Sequence, residues 1–136
     1  MRSSDGSSDS DYLGIVIQQS LQDANFTPPA KLVARKILNT WAFLLVSVAG
    51  TAIDEHIRML QARMVTDGKW YAHYFRGDEL VVVFHDAVFK ISLNRTTWGP
   101  VIEYGLKKGI PIEQLDFNPA TLQDAKEFFG LESVQE

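Results

Sequence analysis

The chain contains no cysteine among its 136 residues. That absence excludes disulfides, thiolate nucleophiles, zinc fingers and iron–sulfur clusters. The composition, 46% hydrophobic and 22% charged, is that of an ordinary globular protein. A chain of this length can bury an apolar core without covalent or metal crosslinks, so we predict one domain.

Positive charge is scarce, with 13 Lys and Arg against 17 Asp and Glu. Because basic side chains provide most of the affinity for a phosphate backbone, the net charge of −4 disfavours nucleic acid as a partner. The P-loop, G-x-G-x-x-G, H-E-x-x-H and G-x-S-x-G motifs are all missing. The sequence therefore predicts no cofactor and no metal site.

The first eleven residues have almost no apolar content and are rich in Ser and Asp. Such a segment cannot offset the entropy of ordering it, so residues 1–11 are predicted to be a disordered tail. The same segment cannot supply the apolar core of a secretory signal, which favours a cytoplasmic location. We predict a single α+β domain over residues 12–130, followed by a short C-terminal tail at 131–136.

Helices are predicted for most of the N-terminal half. Apolar residues from Tyr12 to Asp23 recur near helical spacing, although Gly14 to Ile17 could also begin a strand. Thr27-Pro28-Pro29 is a strong signal for the start of a helix, because Thr can cap it and Pro is tolerated in its first turn. The apolar residues that follow predict a long core helix that reaches Val48.

The apolar stretch from Ile37 to Ile53 has two interpretations. It follows basic residues and is about 17 residues long, which suggests a membrane anchor. However, this length is marginal and the stretch contains Asn39 and Ser47, so we interpret it as a buried helix and not as a membrane contact. The next apolar pattern predicts a helix over residues 53–64, ended by Gly68.

The clearest pattern lies between residues 69 and 92. Two segments rich in aromatic and β-branched residues flank Gly77-Asp78, which suits a two-residue type II′ turn. A second turn at His85-Asp86 would add a third strand and complete an antiparallel meander. Counting outward from the first turn places three pairs on the predicted core face: Phe75 with Leu80, His73 with Val82, and Tyr71 with Phe84.

Two more helices are predicted after the meander. One starts at a threonine cap, Thr96 or Thr97, and the other is capped by Asn118 and stopped by Gly130. The predicted fold is thus α+β, with a three-stranded antiparallel meander at about 69–92 packed against four to five helices.

The three histidines, His56, His73 and His85, do not have the spacing of a metal site. The predicted register puts His73 and His85 on opposite faces of the hairpin, and His85-Asp86 is interpreted as a turn pair. His73 is interpreted first as a core histidine bonded to the backbone. The alternative places it in a pocket between sheet and helices, together with Tyr71 or Asp86.

The outward face of the meander mixes aromatic, aliphatic and basic side chains. Another element of the same chain is the first candidate to cover it, a protein interface the second, and single-stranded nucleic acid a distant third. The leading hypothesis is a non-enzymatic protein-interaction or structural module, in which this face or the C-terminal helices bind a protein partner or a second copy. The alternative is a small-molecule binding protein or enzyme with its pocket at His73. The candidate interface residues are Trp70, Tyr74, Arg76, Val81, Val83 and Lys90.

Overall fold

Six antiparallel strands form one sheet in the computed structural model, which describes residues 11–22, 31–66, 69–117 and 119–131. The strand order is β2-β3-β1-β4-β5-β6, so the first strand lies near the middle of the sheet. Three α-helices accompany it among the described residues. The elements are β1 (Tyr12–Ile17), β2 (Lys31–Leu38), β3 (Trp41–Val48), α1 (Ile53–Arg63), β4 (Tyr71–Arg76), β5 (Glu79–Phe84), β6 (Ala87–Ser92), α2 (Gly99–Lys107) and α3 (Leu122–Phe129).

The meander β4-β5-β6 has the predicted register. Tyr71 pairs with Phe84, His73 with Val82 and Phe75 with Leu80, and a second turn at His85-Asp86 connects β5 to β6. Gly77 has a φ of 58° at the first turn position, as the predicted type II′ turn requires. The prediction of a three-stranded sheet packed against four to five helices is nevertheless wrong, because these strands are only half of a six-stranded sheet that has three α-helices beside it.

The predicted long helix that reaches Val48 is a strand hairpin. β2 pairs with β3 across a turn at Asn39-Thr40. Asn39 has a φ of 60°, a left-handed conformation that asparagine tolerates better than most residues and that a continuous helix excludes. The predicted helix start at Thr27-Pro28-Pro29 lies outside the described residues.

The interpretation of Ile37 to Ile53 as a buried helix is wrong for the same reason. This stretch comprises the end of β2, the turn, all of β3 and a 3₁₀ turn at Gly50–Ala52. In the part of the chain that the structure describes, no helix is long and apolar enough to cross a membrane.

The first predicted helix is the strand β1, followed by a 3₁₀ turn at Gln18–Ser20. The strand β1 contains one glycine, Gly14, which packs against the side chain of Tyr74. It pairs with Tyr74 of β4, and a Cβ atom at Gly14 would lie 2.2 Å from the Tyr74 ring. The absent side chain therefore leaves the space that the tyrosine ring occupies.

Strands β3 and β5 are buried on both faces along most of their length, which explains their nearly continuous apolar sequences. On one face, Ile57 and Leu60 of α1 join a cluster that includes Val81 and Val83. On the other face, α2, α3 and the segment between them cover a second cluster that includes the predicted core residues Phe75, Leu80, Val82 and Phe84.

The helix ends depart from prediction in two places. α2 begins after Trp98 without a side-chain cap. The Thr97 hydroxyl instead accepts from the Ser92 amide at 3.2 Å and donates to the Asn94 carbonyl at 2.7 Å. α3 is capped by Thr121, whose hydroxyl accepts from the Asp124 amide at 3.1 Å. Its predicted stop, Gly130, is confirmed by a left-handed φ of 71°.

Only some of the other predicted element boundaries fall on residues that the structure describes. The helix predicted over 53–64 is confirmed as α1. Its predicted stop Gly68, the predicted cap Asn118, residues 1–10 of the predicted N-terminal tail and residues 132–136 of the C-terminal tail all lie outside the described residues.

Candidate functional site

A cleft of about 180 Å³ opens at one end of the sheet, on the side that α2 and α3 cover. β1 ends here, and β3 and β4 begin here. Since side chains alternate along a strand, the odd-numbered residues of these three neighbouring strands point to the same side. The strand residues that line the cleft are Ile15, Ile17, Trp41, Phe43, Tyr71 and His73.

Aromatic rings form much of the lining, and we call Trp41, Phe43, Trp70 and Tyr71 the aromatic wall. The Trp41 ring lies 5.5 Å from the Trp70 ring, at an interplanar angle of 56°, and 6.3 Å from the Phe43 ring. Phe43 in turn contacts Phe128 of α3 edge to face at 5.3 Å. The wall is therefore braced from behind by α3, while Trp41 and Trp70 remain only half-buried.

His73 lies in the lining and is 4% exposed. Its Nε2 atom is 2.6 Å from the Pro119 carbonyl oxygen. Because a carbonyl only accepts, Nε2 must be the protonated nitrogen, and a neutral ring then keeps a lone pair on Nδ1. Burial lowers the pKa of His73 to about 4, although the Pro119 hydrogen bond and the Asp116 charge act in the opposite direction. The imidazole is consequently neutral at pH 7.

Tyr71 stands beside His73, and its hydroxyl donates to the Gln114 carbonyl. Burial raises the pKa of Tyr71, and the charge of Asp116 raises it further. Asp116 lines the cleft itself and is close enough to influence both Tyr71 and His73. The polar side of the cleft thus combines a neutral imidazole, a protonated phenol and a carboxylate.

No protein-family model, curated protein or solved structure matches this chain. Among the described residues, no three His, Asp or Glu side chains come together as metal ligands. Backbone carbonyls already take the O–H of Tyr71 and the Nε2–H of His73, so these two groups can only accept a hydrogen bond from a ligand. The aromatic wall suits contact with the apolar surface of a ligand.

The three histidines do not converge. His56 of α1 lies on the opposite face of the sheet, where its Nε2 atom shares a hydrogen bond of 2.6 Å with the Tyr74 hydroxyl. His85 donates from Nδ1 to the Gln61 carbonyl at 3.1 Å. Each of the three imidazoles therefore has a different protein partner in a different place.

The alternative pocket hypothesis placed Tyr71 or Asp86 next to His73, and the structure separates these two residues. Tyr71 lines the cleft with His73. Asp86 lies at the β5-β6 turn, where it accepts hydrogen bonds from the Tyr104 hydroxyl and from the Lys108 ammonium, the latter at 2.9 Å. It connects α2 to the sheet and is not part of the cleft lining.

Three of the six candidate interface residues on the outward face of the meander are covered from within the chain. Tyr74, Val81 and Val83 are 0%, 4% and 0% exposed and belong to the cluster that α1 covers. An element of the same chain therefore covers these three side chains, which is the first of the three alternatives that the sequence suggested. Docking a partner on these three side chains would require α1 to move away.

The other three candidate interface residues lie nearer the surface. Arg76 bonds Glu79 at 3.2 Å and lies over the Tyr12 ring, and Lys90 is exposed on β6. Trp70 is half-buried and belongs to the aromatic wall of the cleft. Of the six, only Trp70 lines the cleft.

Sequence reasoning missed most of the cleft. Ile15, Ile17, Trp41 and Phe43 were assigned to helices, so no pattern brought them to one side of a sheet with His73. Asp116 lies two residues before the predicted helix cap Asn118, and no sequence pattern assigns it to a site. The signal that was available is the turn residue Asn39, which marks the β2-β3 hairpin and thereby the strand that carries Trp41 and Phe43.

Proposed function

We propose that this chain is a binding protein for a small, amphipathic organic molecule that occupies the cleft at the end of the sheet. The observation that carries the proposal is the combination of an aromatic wall with a buried, neutral His73 in one concave site. Binding sites for small molecules typically combine apolar and aromatic lining with a few convergent polar groups. The proposal keeps the cytoplasmic location that the sequence predicts.

The partial exposure of two indole rings supports this function. Trp41 and Trp70 contact each other and are both only half-buried. Large aromatic side chains contribute strongly to binding because they bury much apolar area. They also have few rotatable bonds, so they lose little conformational entropy when a ligand binds. A ligand in the cleft would cover ring surface that water contacts in the free protein.

The volume of the cleft limits the size of the ligand. The volume of the cleft is about 180 Å³. This is below the range of roughly 300–1,000 Å³ that is typical for drug-sized ligands. We therefore expect a molecule with few non-hydrogen atoms, or the end group of a longer one.

A protein-interaction module is the second candidate, and the edge strand β2 is the observation that favours it. Leu32 and Ile37 are 52% and 55% exposed on this strand. Its outer edge is not hydrogen-bonded to another described strand. An extended segment of a protein partner could pair with such an edge. The test is to replace Ile37 by Lys: loss of a complex that the parent chain forms supports this candidate, and an unchanged complex counts against it.

The cleft hypothesis is tested by a fragment screen observed by NMR. Ligands should shift the indole N–H signals of Trp41 and Trp70. The third indole is an internal reference, because Trp98 lies outside the cleft lining and its Nε1 donates to the Ser92 carbonyl at 2.8 Å. A screen in which no compound shifts the Trp41 and Trp70 signals contradicts the proposal.

A substitution that fills the cleft provides the matching variant. Ile17→Trp would place an indole in the cleft and should abolish binding of every hit. Val88→Trp is the control, since it makes a similar change at an exposed position of β6 that does not line the cleft. Both variants should retain the circular dichroism spectrum of the parent chain. Equal binding by Ile17→Trp and the parent chain would show that the hits bind elsewhere.

A further inference from the structure

We propose that the ligand of this cleft carries a cationic amine or quaternary ammonium group, held between the Trp41 and Trp70 rings and the Asp116 carboxylate. This inference rests on the proposed function, because it names the chemical class of a ligand for the same site. It has two independent supports, the arrangement of the indole rings and the sign of the charge beside them.

The two indole rings form a corner that suits a cation. Their centroids are 5.5 Å apart and their planes meet at 56°, so a group in the cleft can contact both rings. The face of an indole carries negative electrostatic potential and attracts a cation within about 6 Å of the ring centre. Phe43 and Tyr71 extend the same wall with further aromatic surface.

Asp116 supplies the complementary charge. It lines the cleft, and its influence reaches both Tyr71 and His73. His73 adds no positive charge that would repel a cation, because its buried ring is neutral at pH 7. Two charged residues, Lys69 and Asp116, line the cleft. Of these, Asp116 is the one whose charge acts on Tyr71 and His73.

Lys69 is the other charged residue of the lining and must be weighed against a cation. Its Cε atom lies 3.8 Å from where a Cβ atom at Gly109 would be, which places the end of this side chain beside the residues that follow α2. The carbonyl groups at the end of a helix attract an ammonium group. The Lys69 side chain thus extends toward the residues that follow α2, whereas the charge of Asp116 acts on Tyr71 and His73.

Choline and its carbon isostere, in which a neutral tert-butyl group replaces trimethylammonium, are the probes that isolate charge from shape. Titrations followed by NMR or calorimetry should show choline binding about tenfold more tightly than the isostere, as expected for a cation over aromatic rings. The Trp41 and Trp70 indole signals should shift with choline, and the Trp98 signal should stay in place.

Two charge-neutralising variants then test the role of the carboxylate. Asp116→Asn should weaken choline binding about threefold to tenfold and leave the affinity for the isostere unchanged. Glu113→Gln is the control, because Glu113 is an exposed acidic residue of the same segment that does not line the cleft. Its effect should be less than about twofold, since solvent and salt screen an exposed charge that does not line the cleft.

The outcomes separate this inference from the proposed function. If the isostere binds as tightly as choline, or if the fragment screen yields ligands but choline does not bind, the cation class is wrong and the cleft remains a small-molecule site. If Asp116→Asn and Glu113→Gln weaken choline equally, the assigned role of Asp116 is wrong. If no compound of any class binds, both proposals fail.

Discussion

Two buried histidines should make this protein lose stability in mild acid. His56 and His73 are 1% and 4% exposed, and burial lowers the pKa of each from 6.5 to about 4. In the unfolded chain these imidazoles gain protons as the pH falls through 6.5, whereas the folded chain resists protonation until about pH 4. The unfolded state therefore binds more protons throughout this window, and the free energy of unfolding decreases as the pH is lowered.

The size of the effect follows from the difference between the two pKa values. The drop from 6.5 to about 4 is about 2.5, which at ~1.36 kcal/mol for each pKa unit is on the order of 3 kcal/mol per histidine. Both residues together contribute on the order of 7 kcal/mol, and roughly 60% of this should already be lost at about pH 5. Small domains are typically stable by only about 5–15 kcal/mol, so the effect is large enough to measure.

Urea unfolding between about pH 7.5 and pH 5 measures this loss. Keeping the pH above about 5 separates the histidines from carboxylates such as Glu79, whose pKa is lowered chiefly by its hydrogen bond with Tyr12. A carboxylate of this kind contributes stability that is present above its ordinary pKa and is lost below it. His56→Gln and His73→Gln should each remove about half of the pH dependence. A free energy of unfolding that is constant over this range, or His56 and His73 imidazole signals that titrate near pH 6.5 in the native protein, would refute the argument.

Two further substitutions test the packing between β1, β4 and α1. Gly14→Ala should cost roughly 1–3 kcal/mol, because the added atom would lie 2.2 Å from the Tyr74 ring, whereas Gly99→Ala places an atom with no described neighbour within 4 Å. Urea unfolding compares the two, and equal stabilities would contradict the packing argument. Tyr74→Phe should also cost about 1–3 kcal/mol, because His56 would lose its partner at 2.6 Å and no atom of the described residues bonds its Nδ1. A double-mutant cycle with His56→Leu measures this pair, and strictly additive costs would show that the hydrogen bond does not contribute.

The C-terminal half of the fold could be predicted because its signals are local. Gly77 fixes the turn between β4 and β5, and the alternation of side chains along the strands then determines every pair of the hairpin. Gly130 similarly marks the end of α3, where a left-handed residue is required. In both cases one residue with a special backbone conformation determines the structure of its neighbours.

The N-terminal half could not be predicted in the same way, because a strand buried on both faces has no alternating pattern. In β3 the residues Ala42, Leu44 and Leu45 are all at most 8% exposed, although Leu44 and Leu45 point to opposite sides of the sheet. A continuous apolar run of this kind fits a buried helix as well as a buried strand. The difference lies in the partners on either side, which are distant in sequence.

The candidate site was predictable only where it depended on the meander. The register put His73 and Tyr71 on the core face, and the structure confirms that placement. The aromatic partners Trp41 and Phe43 depend on the pairing of β3 with β1, which joins residues separated by more than two dozen positions along the chain. No local pattern specifies such a pairing, so the cleft became visible only with the whole sheet.

The cleft lies where the pairing of β1 with β4 ends, and this pairing joins the strands β2, β3 and β1 to the meander. β1 and β4 pair at only three positions, and the last of them joins Ile15 to His73. If the pairing continued in the same register, Ile17 would face Tyr71, but Ile17 pairs only with Phe43 of β3. Where a strand pair ends, the strands are no longer held at the spacing of a sheet. The lining residues Ile17 and Tyr71 stand on either side of the point where this pairing ends, and residues outside the strands complete the lining: Lys69, Trp70, Gln114 and Asp116.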